Sequence, residues 1–166
     1  LDRPDRKPIV QSIDIGVVRL CERVLRHDPP TAEELQKTRE WVTRETKAAV
    51  ADMGDYRQAT FVGTAGTITS LAAMAQKLPT YEPARIHNYR LSLESIRELE
   101  HTLLNRTKAE RVGLPGLEKG REEVIAAGAI IIWTIMETLE REECLVSDLG
   151  LREGVLIDLA RQAGNR

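Results

Sequence analysis

Residues 61–67 read Phe-Val-Gly-Thr-Ala-Gly-Thr, and the apolar, helix-forming segment 68–78 follows at once. A buried strand that runs through a short loop straight into a helix commits this part of the chain to a layered α/β arrangement, because both elements must bury their apolar faces together. The same order brings backbone N–H groups, two threonine hydroxyls and a helix N-terminus to one point. Such a point suits phosphate, since the first-turn amides lack intrahelical partners and the helix dipole favours an anion. Gly63 and Gly66 permit positive φ and leave no Cβ between backbone and oxyanion. An ordinary strand-to-helix turn has the same spacing, so the segment alone leaves both readings open.

At 166 residues the chain is long enough for one domain with a real core. Its 42% hydrophobic and 30% charged content describes a globular chain rather than a disordered or fibrous one. The net charge of −2 supplies no global field for nucleic acid, and no nucleic-acid partner is expected. Cys21 and Cys144 match no metal or redox spacing and read as buried thiols of a reducing compartment, so a cytoplasmic location is expected. The longest apolar run, residues 124–136, is too short to span a bilayer, and no membrane partner is expected. His27, His87 and His101 share no ligand spacing.

Along the chain, residues 9–15 have strand character and residues 17–26 read as a short helix. Asp28-Pro29-Pro30 breaks the chain, and Thr31 with Glu34 forms a capping box for a helix that runs to about residue 52. A strand is predicted at 58–62, a helix at 68–78, and extended chain at 86–91. Ser92 caps a helix to about residue 105, and a turn or two of helix follows at 107–112. Residues 118–140 read as one long helix, apolar on all sides in its middle and therefore buried. A strand at 143–147 and an amphipathic helix at 152–163 close the chain. This alternation predicts an α/β fold with several parallel strand pairings. A second strand-to-helix junction, at Ser147, Asp148 and Gly150, should face the same crevice as Gly63–Thr67. There Asp148 suits metal binding, water orientation, or simple capping of the last helix.

The run Gly63-Thr64-Ala65-Gly66-Thr67-Ile68-Thr69-Ser70-Leu71 resembles the second phosphate-binding motif of the exopolyphosphatase / guanosine pentaphosphate phosphatase family. Arg121-Glu122-Glu123-Val124-Ile125-Ala126-Ala127-Gly128-Ala129 is similar to that family's arginine-acidic helix. Val146-Ser147-Asp148-Leu149-Gly150-Leu151-Arg152-Glu153-Gly154 resembles its closing motif, and Ile15-Gly16-Val17-Val18-Arg19-Leu20 its Leu-Gly-Ala-Val-Arg-Leu stretch. The four occur in the family's order over nearly the whole chain.

The resemblance implies a ribonuclease-H-like domain of the actin-like, sugar-kinase-like ATPase superfamily, a mixed sheet flanked by helices. Residues 1–166 then form most of the second domain, truncated at its N-terminal edge, with the first domain and its general base removed upstream. It also implies hydrolysis of a terminal phosphoanhydride in inorganic polyphosphate or guanosine pentaphosphate, with Mg2+ as cofactor and a homodimer as assembly. The phosphate-binding residues it implies are Gly63, Thr64, Ala65, Gly66 and Thr67. The further cleft contacts are Arg19, Arg121, Glu123, Ser147, Asp148 and Gly150. Arg90, Arg111 and Lys119 are additional candidate cations along a polyphosphate chain. A non-catalytic phosphate-binding or oligomerisation domain is the alternative. An ATP-dependent kinase fits less well, because residues 145–154 carry no paired glycines for an adenosine loop.

Overall fold

The computed structural model describes residues 1–3 and 6–164. Helices α1 (Val17–Arg23) and α2 (Ala32–Val50) precede strand β1 (Val62–Thr64) and helix α3 (Gly66–Ala75). The one-turn α4 (Pro83–Ile86), β2 (Arg90–Ser92), α5 (Leu93–Leu104) and one-turn α6 (Lys108–Arg111) follow. Helix α7 (Ile125–Thr138), strand β3 (Glu143–Ser147) and α8 (Leu151–Gly164) complete the order.

The caps set these boundaries. The Thr31 hydroxyl accepts from the Glu34 N–H at 3.3 Å and Glu34 Oε2 accepts from the Thr31 N–H at 2.9 Å, closing the capping box of α2. Ser92 Oγ accepts from the Ser95 N–H at 3.1 Å and starts α5. A second capping box, Thr107 with Glu110, starts α6.

The three strands form a mixed sheet in the order β1-β3-β2. Strand β1 runs parallel to β3, with Val62 opposite Leu145 and Thr64 opposite Ser147. Strand β2 is antiparallel to β3, with Leu91 opposite Cys144. One parallel pairing therefore replaces the several expected. The short connection through α4 delivers the chain to the C-terminal end of β3, where the Asn88 N–H donates to the Val146 carbonyl, so β2 must run back along it.

Other expectations shift for local reasons. Residues 9–15 form no strand: Val10 is 85% exposed, and Gln11, Ser12 and Asp14 leave no face to bury. The strand expected at 58–62 lies at Val62–Thr64 instead, because residues 56–59 form a turn whose Tyr56 and Arg57 carbonyls accept from Arg141. The ladder then runs through Gly63, where a Cβ would stand 2.8 Å from both Cys144 Sγ and Ile68 Cγ1. Helix α7 begins at Ile125, not 118, because Gly120 turns at φ 90° and its N–H donates to Glu122 Oε2 at 2.8 Å.

The main core joins the sheet to α3, α5 and α7 through Ile68, Leu71, Leu91, Ile96, Ala129, Met136 and Val146. A smaller one, Leu20, Val42, Ala127 and Ile131, joins α1 and α2 to α7. Helix α7 thus serves two cores, which is why it is apolar on all sides. Helix α8 departs from the expected amphipathic packing: it buries no residue, and Leu151 is 84% exposed. No helix among the described residues is long and apolar enough to cross a membrane.

Candidate functional site

Strand β1 ends at Thr64 and α3 begins two residues later, which forces the reversal onto Ala65 at φ 74° and ψ 175°. A residue with a Cβ is strained there. The Thr69 N–H makes a backbone bond to the Ala65 carbonyl at 3.3 Å, so the N–H groups of Gly66, Thr67 and Ile68 precede the first intrahelical acceptor. They open the positive end of a helix whose first turn holds no carboxylate.

Arg121 sits on the turn before α7, and the turn aims it at this point. Its Nε donates to Glu118 Oε2 at 2.8 Å, and the guanidinium lies on Gly66, where a Cβ would stand 2.6 Å from Nη2. Glycine at 66 therefore makes room for the arginine as well as for the backbone. The side chain of Thr67 turns inward onto α7, close against Gly128.

Strand β3 delivers the other side. Ser147 Oγ donates to the Leu149 carbonyl at 2.8 Å, and Thr64 Oγ1 donates to the same carbonyl at 2.9 Å. These hydroxyls pin the 148–150 loop to the end of β1 instead of standing free as anion donors. The Gly150 N–H caps α8 through Glu153 Oε2 at 2.8 Å, and that bond, the largest cause, lowers the Glu153 pKa. Capping therefore falls to Glu153 and not to Asp148. Asp148 Oδ1 accepts from the Tyr81 hydroxyl, and the Asp148 N–H donates to His87 Nδ1 at 3.4 Å. Burial first, then the bond to Asp148, raises the Tyr81 pKa above its usual value, so the phenol remains a donor at neutral pH.

The structure brings Gly63–Thr67, Arg121, Ser147, Asp148 and Gly150 to one end of the parallel pair. It engages Arg19 and Glu123 elsewhere. Arg19 pairs with Asp14, and Glu123 pairs with Lys108 at 2.5 Å beside a cavity of about 310 Å³ lined by Cys21, His27 and Arg111. Arg90 pairs with Glu143, and buried Arg111 bonds the Leu103 and Glu122 carbonyls and Asp28. Lys119 lines a separate open groove with Lys108 and Val112. Of the candidate cations, Arg121 is the one placed on the loop. Tyr81 and Glu118 carry no sequence signal beyond a tyrosine between Pro79 and Pro83 and an acid three residues before Arg121. Among the described residues no three His, Cys, Asp or Glu side chains gather as a metal site.

A strand-to-helix loop with open first-turn amides at the carboxyl end of a parallel strand pair, in a mixed sheet flanked by helices, defines an α/β domain whose candidate site lies at that end. The sequence matches the Ppx/GppA phosphatase family over residues 5–163, and the chain belongs to that family. Exopolyphosphatase 2 of Mycobacterium tuberculosis is 34% identical over 153 residues, covering 90% of this chain and 48% of the relative. Exopolyphosphatase 1 of Mycobacterium bovis is 28% identical over 157 residues, covering 92% and 45%. The crystal structure of the Aquifex aeolicus Ppx/GppA family member superimposes with a TM-score of 0.86 at 33% identity, covering 94% of this chain and 50% of that one. The actin-like ATPase fold follows from this likeness. The chain spans about half the length of the curated relatives it matches.

Proposed function

We propose that this chain supplies the phosphate-binding side of a phosphoanhydride hydrolase that releases terminal phosphate from inorganic polyphosphate. The observation that carries the reading is the meeting of the Gly66, Thr67 and Ile68 amides with the Arg121 guanidinium. Hydrolysis spreads negative charge over the transferred phosphoryl oxygens, so fixed donors and a forked cation stabilise the transition state more than the ground state. The amides hold one oxygen set, Arg121 offers planar donors to another, and Asp148 orients the attacking water across the loop. Family membership and the exopolyphosphatase name borne by the Mycobacterium relatives favour polyphosphate. Guanosine pentaphosphate presents the same terminal anhydride and is the second substrate of this reading. The resemblance puts the general base outside these residues.

The test is phosphate release from polyphosphate by a protein of the relatives' full length and by residues 1–166 alone. We expect turnover by the longer protein and little by the shorter. Gly66→Val in the longer protein displaces Arg121 and blocks the loop, and should lower turnover at least ~100-fold with the fold intact, since oxyanion donors are worth about 10²–10³ each. A folded Gly66→Val protein with unchanged turnover contradicts the assignment.

A further inference from the structure

We infer that Tyr81 is a positioning residue that holds the Asp148 carboxylate in one direction beside the anion loop; this rests on the phosphate reading above.

Tyr81 lies in the irregular stretch before α4 and packs its ring against the main core. Its hydroxyl donates to Asp148 Oδ1. The core-packed ring therefore fixes one carboxylate oxygen of Asp148. His87 holds the Asp148 backbone from the other side, through the N–H at 3.4 Å.

The chemistry explains why a tyrosine stands here. A carboxylate close to an anion site repels the ligand, and a donated hydrogen bond disperses part of that charge while fixing the direction of the group. With Oδ1 engaged by the phenol, Asp148 keeps one oxygen free in a set direction, which is what water orientation requires. A phenylalanine would fill the same ring space and release the carboxylate. The Tyr81 hydroxyl engages Asp148, so its effect on ligand passes through Asp148.

The experiment is a double-mutant cycle on the 166-residue chain, with inorganic tripolyphosphate as probe and amide spectra as a second readout. Far-UV circular dichroism confirms that each variant is folded. Tyr81→Phe should weaken tripolyphosphate binding about five- to tenfold in the otherwise native chain and less than about twofold in the Asp148→Ala background, where the phenol has no acceptor. Equal losses in both backgrounds, or none in either while the native chain binds, overturn the inference. The amide readout needs no ligand. Tyr81→Phe should move the Asp148 and Leu149 amide signals in the otherwise native chain and leave position 149 in place in the Asp148→Ala background, which has no acceptor for the phenol. Identical movement in both backgrounds overturns the inference. A native chain that fails to bind tripolyphosphate counts against the phosphate reading, and the amide cycle still decides the role of Tyr81.

Discussion

Ala65 holds a backbone conformation comfortable for glycine alone, at a cost of roughly 1–3 kcal/mol. The turn persists because both neighbours are fixed: Thr64 is bonded to the Leu149 carbonyl, and Gly66 already opens α3. Ala65→Gly removes the strain and adds unfolded-chain freedom worth roughly 0.5–1 kcal/mol. The variant should be more stable by about 1 kcal/mol in urea unfolding, and a loss of stability would show that the turn is relaxed. The neighbouring glycines were legible in the sequence as places of close backbone approach. What Gly66 approaches was not, because Arg121 lies 55 positions further along and only the turn at Gly120 aims it there. Alanine carries no mark of positive φ, so the strained residue itself was invisible. The hydroxyls of Thr64 and Ser147 read as ligand donors by type, yet both donate to one carbonyl, a pairing that exists only once β1 and β3 lie side by side.

Among the elements, α2 was the most legible, since its cap is local chemistry within four residues. Glu34 closes that box and also accepts from the Arg26 N–H at 2.8 Å. Burial works against its charge, but the Thr31, His27 and Arg26 partners outweigh it and hold the Glu34 pKa down to about 2. The fold therefore favours the ionised form. The stability this contributes is complete above the unfolded carboxyl value of about 4.3 and is lost as pH falls through about 2, with an upper bound of roughly 3 kcal/mol. Urea unfolding of the native chain should weaken from pH 5 to pH 2.5 more steeply than that of Glu34→Gln; parallel curves contradict this. Helix α7 was legible as buried but not in its start. A pattern of apolar residues does not reveal that residues 118–124 are drawn into turns by the Gly120–Glu122 bond. Helix α8 shows the limit of pattern reading. Its apolar residues spread over most of the helix surface, a distribution proper to a helix covered on several sides, and this chain covers none of them.

At the scale of the molecule, one buried helix joins two cores and a three-stranded sheet carries the site at the end of its parallel pair. Alternation of strand and helix signals gave the α/β class. It could not give the direction of β2, which depends on where α4 returns the chain. Strand β1 is the outer strand beside the loop, with Val62 53% exposed and one edge without a partner among the described residues. An open edge of this kind is a template for pairing. The site itself needs none of that edge, because its donors come from α3 and from the turn before α7. The central claim is that the start of α3 and Arg121 together bind phosphate oxygens, and amide spectra of the chain titrated with tripolyphosphate test it most directly. The account predicts saturable shifts that are largest at Gly66, Thr67 and Ile68 and abolished by Gly66→Val and by Arg121→Ala. Shifts that leave those three amides in place, or that survive both substitutions unchanged, would contradict it.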